Sequence, residues 1–319
     1  MRYMKVISVT SGSKGGTGKS TIMVNTAVLH AYMATRRERL VMLLDAEPQA
    51  ATSTLLLSRK IYNELRKGSI RSLTDFLTGN ANFDDVFYVL KFKEPEQFYI
   101  AISSLVAPVD KLKQLKDKDI NDLHSKLSEF IDELTKNLDL EAIYIDLPAT
   151  SVFSSLSLAV YAVSDLIVPV GTPDPSCLIS LYTTVMAIRD YIKPPPTIAP
   201  VVLNRISSSN AIEPITNLHY KVLYNRLINS GVFELREDEN LSIARSAGLI
   251  EVLSRSLKYN STVRALLKYA HKIATYPVEH TMRTISDHSK VSTMIGTNIS
   301  EHAESILLAL LRSRSRKPL

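Results

Sequence analysis

Apolar residues in this chain gather into short continuous runs, at 6–9, 40–44, 99–102, 142–145, 166–170 and 198–203, most of them rich in Val and Ile. Runs of that length read as strands buried on both faces, because a strand with one wet face would alternate polar and apolar positions. Between them lie longer segments, 19–35, 121–137, 177–192 and 214–229, that read as helices. Strands alternating with helices predict an α/β fold: a mainly parallel twisted sheet covered by helices on both faces. Pro194, Pro195 and Pro196 end one helix before its following strand, as rings without an N–H should. No repeat, low-complexity linker or domain boundary stands out. The chain is expected to form one domain over 1–319, with elaborations near 53–98 and 207–240. A last helix at 301–312 should lead into a basic tail, so that 300–319 forms a basic C-terminal segment.

Composition narrows the picture. With 45% hydrophobic residues in 319, the chain has ample material for a core, which excludes a disordered protein. The single cysteine, Cys177, cannot build a disulfide framework or a thiolate metal cluster, and it points to a reducing compartment. No stretch of ~18 apolar residues occurs and the N-terminal apolar run is short, so neither a spanning helix nor a signal peptide is expected. The expected location is the cytoplasm. The net charge is +6, but residues 255–319 alone carry eleven Lys and Arg against Glu279, Asp287, Glu301 and Glu304. A positive field confined to the C-terminal fifth suits a polyanion, either nucleic acid or an acidic membrane.

The candidate chemistry begins at the end of the first strand. Four of the ten glycines, Gly12, Gly15, Gly16 and Gly18, fall within seven residues, between that strand and a helix lacking Gly and Pro. Glycine lets backbone N–H groups turn inward around a phosphate chain, and the helix beginning near Lys19 adds its positive end. Lys19 would reach the β- and γ-phosphates, and Ser20 would offer its hydroxyl to Mg²⁺. Two other strands end in acids: Asp45 and Glu47 after 40–44, and Asp146 after 142–145. In a parallel sheet these emerge at the carboxyl edge beside the phosphates, where a carboxylate can hold Mg²⁺ through water or orient the attacking water. Asp146 is the expected Walker B acid.

The loop Lys14-Gly15-Gly16-Thr17-Gly18-Lys19-Ser20-Thr21 departs from the ordinary Walker A pattern at Ser13, where glycine would stand. It resembles the deviant, lysine-first Walker A of the ParA/MinD family. The run from Asp45 to Ser53, with Pro48, Gln49 and Thr52, resembles that family's second signature, although Glu47 replaces its usual second Asp. The resemblance covers most of residues 4–275 in motif order. It implies ATP and Mg²⁺ as cofactors, with Gly15, Gly16, Thr17, Gly18, Lys19, Ser20 and Thr21 at the nucleotide. It further implies Ser20, Asp45 and Asp146 around the metal, Lys14 and Lys19 in the catalytic set, and either Glu47, the favoured choice, or Asp45 orienting the water. Thr172-Pro173-Asp174 resembles a family loop near the nucleotide and dimer face. Asn204 matches a position that commonly contacts adenine, and is equally readable as a loop-capping amide.

Family members form an ATP-dependent homodimer in which the first lysine, here Lys14, reaches the partner's phosphates. A cation placed only in the ATP-bound dimer couples association to nucleotide state. Within the family, branches needing paired cysteines or a duplicated domain do not fit one cysteine and one loop. The Pro48-Gln49 signature points to the partition branch, ParA, whose members bind non-specific DNA and answer to a ParB-like centromere-binding protein. This implies a nucleoid-associated protein that segregates a plasmid or chromosome; because the chain starts at its first strand, operator-specific binding is not expected. The candidate DNA contacts are Arg255, Lys258, Arg264, Lys268, Lys272, Arg312, Arg314, Arg316 and Lys317. Three of them, Arg264, Lys268 and Lys272, recur every fourth residue on one helix face. The alternative is a MinD-like membrane-associated positioning ATPase. Residues 306–317 weigh against it: one apolar block beside one basic block, lacking Phe and Trp, is not an interfacial helix, and no stable membrane association is expected. A metabolic enzyme of the same fold is a third class, for which no second-substrate constellation is visible.

Overall fold

The computed structural model describes residues 4–47, 51–93, 97–149, 154–206, 231–238, 260–278 and 281–285. Its centre is a sheet ordered β10-β9-β6-β1-β5-β2-β4-β3, with β8 paired to β6. The strands are β1 (Lys5–Thr10), β2 (Leu40–Asp45), β3 (Phe87–Phe92), β4 (Phe98–Ser104), β5 (Leu140–Asp146), β6 (Leu166–Gly171), β8 (Thr197–Ile198), β9 (Val201–Ile206) and β10 (Val232–Arg236). All pairings are parallel except that of the edge hairpin β3–β4. The fold is the expected α/β class, and five of the six apolar runs lie within single strands.

Continuous apolar runs work here because both faces of the sheet are covered. Val6, Met42, Leu44, Ile143 and Ile145 pack on one side, and Ile7, Val9, Val41, Leu43 and Tyr144 on the other. The second side is covered by α1 (Lys19–Thr35), α3 (Arg59–Lys67) and α9 (Ser261–Thr275). The first is covered by α4 (Leu73–Leu77), α5 (Val109–Lys116), α6 (Ile120–Asn137), α7 (Ser155–Val163) and α8 (Pro175–Tyr191). Short α2 (Ala51–Leu56) joins the phosphate edge to α3. Side-chain caps mark several starts: Ser58 accepts from the Ile61 N–H, Asp119 from Asn121, Asp174 from Cys177, and Asn260 from Thr262 and Val263.

Two expectations changed in detail. Residues 198–203 are not one strand: Ala199 and Pro200 separate β8 from β9, and Pro200 brings no N–H to the ladder. The irregular segment 53–98 contains α2, α3, α4 and the edge strand β3. A short ribbon pairs β7 (Ile192–Lys193) with β11 (Thr284–Ile285). The expected helices at 214–229 and 301–312 lie outside the described residues, as does most of 207–240.

Candidate functional site

The loop between β1 and α1 lies at the carboxyl edge of the sheet. Gly12, Gly16 and Gly18 have φ of 61°, 73° and 87°, the left-handed region that favours glycine. At Gly18 the need is doubled, since an added Cβ would lie 2.3 Å from Asn204 Nδ2. In front of Gly15 and Gly16, by contrast, a Cβ would meet nothing within 4 Å, so the backbone there borders open space. That space is a cavity of about 800 Å³ lined by Lys14 through Thr21 and by Glu47. The lining also includes the apolar Leu105, Val109, Leu112, Leu115, Leu123 and Leu156, and the basic Lys113, Lys116 and Arg205.

Lys19 opens α1 and is only 5% exposed. Its Nζ stands 2.5 Å from Asp146 Oδ1 and 3.8 Å from Glu47 Oε2. Asp146 is fully buried at the end of β5, and its second oxygen accepts from Thr52 Oγ1 at 2.8 Å. Burial raises the Glu47 pKa, opposed by the Lys19 charge and reinforced by Asp146. Ser20 Oγ lies 3.5 Å from Glu47 Oε2. An ammonium, two acids and a hydroxyl thus converge where the loop opens.

Asp45, expected in the metal shell, is fully buried at the end of β2. It pairs in register with Asp146, and neither carboxylate lines the cavity. Asp45 Oδ2 accepts from Ser53 N at 2.7 Å and Ser53 Oγ at 2.5 Å, and its Oδ1 accepts from Glu47 N at 3.2 Å. Burial, and then the nearby Asp146 charge, push its pKa up to about 7. In this arrangement Asp45 ties the start of α2 to the turn that presents Glu47.

Two further side chains, Ser180 and Asn204, hold the loop. Ser180 on α8 accepts from Ser13 N at 2.7 Å and pairs with Ser13 Oγ at 2.8 Å. A Cβ at Gly12 would approach Ser180 Oγ to 2.5 Å, so the helix and the loop fit closely. Asn204 Nδ2 donates to Thr17 O at 2.9 Å, which places the expected base-contacting amide against the loop itself. Its neighbour Arg205 has φ 60°, unusual for a residue with a side chain, and lines the cavity. No local sequence signal marked Ser180 or Arg205.

Lys14 is exposed on the outer lip of the loop. Its charge is one of the influences lowering the pKa of Asp174, after the dominant hydrogen bond from Ser176. Asp174 caps α8, so the 172–174 loop and the first lysine are neighbours. Arg264, Lys268 and Lys272 lie apart from the cavity on the exposed side of α9. Pro48, Gln49, Arg255, Lys258, Arg312, Arg314, Arg316 and Lys317 lie outside the described residues.

The site passes a chemical test for a magnesium-bound nucleotide. Open backbone faces at Gly15 and Gly16, a buried ammonium and adjacent carboxylates supply donors for phosphate and oxygen ligands for a hard cation. Thr17 Oγ1 is buried with no hydrogen-bond partner among the described residues, inside the same cradle. Among those residues no group of three or more His, Cys, Asp and Glu could hold a metal unaided. A cation here would need ligands from water or phosphate, as magnesium commonly does.

A family model described as an AAA domain matches residues 4–196. No curated protein matches the chain significantly. Among solved structures, the septum site-determining protein MinD complexed with Mg-ADP from Pyrococcus horikoshii OT3 is similar with a TM-score of 0.60 and 22% identity. The match covers 86% of this chain and 97% of that one. A Cyanothece McdA variant in complex with ATP gives 0.64 at 15% identity, over 88% and 100% of the two chains. A ParA family ATPase from Chlorobium tepidum TLS gives 0.58 at 15% identity, over 86% and 100%. At these identities the likeness concerns the fold.

Proposed function

The chain belongs to the AAA-domain family, and from that premise we propose that it is a ParA/MinD-type ATPase and, within that type, a DNA-partition ATPase of the ParA kind. It binds ATP and Mg²⁺, pairs with a second copy, binds DNA without sequence preference in the cytoplasm at the nucleoid, and releases it on hydrolysis stimulated by a ParB-like centromere-binding partner. The observation that carries the reading is a glycine-lined cavity bordered by Lys14, Lys19, Ser20 and Glu47, with the Lys19 ammonium held by the fully buried Asp146 carboxylate.

When bound, the nucleotide supplies the phosphoanhydride bond, and magnesium neutralises charge on its phosphates. The amides of Gly15 through Gly18 and the Lys19 ammonium hold the phosphate chain, and Ser20 and Asp146 hold the magnesium, directly or through water. Thr17 and Thr21 complete the cradle. Glu47 orients the water, its reach one methylene longer than the family's aspartate. Asp45 supports both acids from behind. The nucleotide base is assigned to the carbonyl oxygen of Asn204, since its NH₂ group serves Thr17 O. Lys14, reaching across from a second copy, completes charge neutralisation only in the dimer.

The basic face of α9 supports DNA as the anion, through Arg264, Lys268 and Lys272. Arg255, Lys258, Arg312, Arg314, Arg316 and Lys317 extend the same assignment. The test is duplex affinity with and without ATP across a salt series. The expected result is ATP-dependent binding whose strength falls steeply with salt. Binding indifferent to nucleotide or to salt would contradict the reading. ATP-dependent recovery on anionic vesicles without DNA binding would favour the MinD-like alternative instead.

A further inference from the structure

We infer that α3 carries a second half of the nucleic-acid surface, on the same side of the sheet as α9; the inference rests on the DNA-binding reading above. The placement follows from packing. Leu65 of α3, Val24 and Val28 of α1, and Leu266 and Ile273 of α9 share one buried cluster under a single face of the sheet. Ile61 and Tyr62 pack against that cluster from the same side of α3. The other side of α3 carries Arg59, Lys60, Arg66 and Lys67, all exposed. At ~100° per residue these four cations fall within an arc of about 120°, opposite the apolar side.

Among the described residues none of the four forms an ion pair, and Glu64 is the single acid on the helix. The neighbouring cations behave otherwise: Arg71 and Lys111 both contact the buried Asp75 carboxylate, at 3.3 and 2.5 Å. Basic side chains that the fold needs for its own packing are therefore paired, and those of α3 are left outward. Four like charges on one side of a helix raise the local positive potential, and an external anion lowers it.

On the same face, Lys268 and Lys272 point outward from α9, with α1 between the two basic helices. Two basic helices on one face of the sheet suit an extended polyanion better than a single acidic peptide. Duplex DNA presents phosphates on two strands across a groove, and its affinity depends on how many phosphates are neutralised. The α3 stripe would account for affinity and salt dependence, and not for sequence preference.

The experiment compares ATP-bound wild type with Arg59→Ala/Lys60→Ala/Arg66→Ala/Lys67→Ala and with Arg264→Ala/Lys268→Ala/Lys272→Ala, titrating a random-sequence duplex at several salt concentrations. The α3 variant is expected to bind at least tenfold more weakly at low salt, with a salt slope shallower by about two to four, close to one for each phosphate that the variant leaves unneutralised. Its nucleotide affinity and Tm should stay at wild-type values, and Arg59→Lys/Arg66→Lys should bind as wild type, which a packing role for α3 would not give. Wild-type affinity and slope in the α3 variant, with the α9 variant impaired, would overturn this inference and leave the proposed function standing. Weakened binding to anionic vesicles in place of duplex would overturn it in favour of a lipid surface. A wild-type chain that binds no duplex with ATP would remove the underlying reading as well.

Discussion

At the scale of single residues, the two lysines of the loop sit in opposite surroundings. Lys19 is buried against Asp146, whereas Lys14 is exposed beside Asp174. Lys19→Ala should therefore abolish ATP binding in a fluorescent-nucleotide titration, while Lys14→Ala should retain affinity within a few-fold and lose dimerisation and hydrolysis. Equal loss of affinity in both would rule out the trans role for Lys14. Gly18 gives a second test, because its φ of 87° and its close approach to Asn204 both exclude a side chain. Gly18→Ala should cost about 1–2 kcal/mol in thermal unfolding and weaken nucleotide binding with it; unchanged Tm and affinity would refute the cradle geometry. These residues were legible because four glycines in seven positions and acids closing apolar runs are strong local signals. Ser180 and Arg205 were not, since a serine in a helix or an arginine in a strand acquires its meaning from what tertiary packing brings against it. Asp45 was legible as a strand-end acid, but its hydrogen bonds to Ser53 and Glu47, which set it back from the cavity, were not.

At the scale of elements, α1 joins the two ends of the sheet. Its first residue enters the phosphate site, and its later turns are tied to β5 at the far end. There Glu141 Oε1 lies 3.2 Å from His30 Nε2, and Arg37 contacts both carboxylate oxygens at 2.6 and 3.1 Å. The His30 hydrogen bond foremost, with Arg37, lowers the Glu141 pKa to about 2. A lowered folded-state pKa means that this carboxylate stabilises the fold above the ordinary carboxylate range, and that the contribution fades as pH falls from about 4.5 toward 2. Glu141→Gln should lower stability by about 2 kcal/mol near neutral pH and flatten the acid side of the stability profile. Identical acid slopes for the two proteins in chemical denaturation would exclude this role. The element order itself was readable where runs were long or continuous. It failed over 53–98 because helices of five to nine residues are too short for their periodicity to emerge. In β3, Lys91 interrupts an otherwise apolar edge strand, and at 199–200 a proline breaks an apolar run that periodicity alone reads as one strand.

At the scale of the whole molecule, the carboxyl edge of the sheet holds the nucleotide site, and the α1 face of the sheet carries the described basic stripes. That separation allows one surface to face a second copy while another faces DNA, so nucleotide state can govern DNA binding through the number of stripes presented together. The sequence showed the charge imbalance but placed it in the C-terminal fifth, because counting charges along the chain cannot reveal that α3 and α9 share a face. The central claim, that the glycine-lined cavity holds nucleotide and that a lysine from a second copy closes it, is tested most directly by native mass spectrometry of the chain with Mg²⁺ and a nonhydrolysable ATP analogue. The expected species is two chains with two nucleotides, absent from Lys14→Ala and from samples given ADP. A single chain holding one analogue, or chains holding none, would contradict the account.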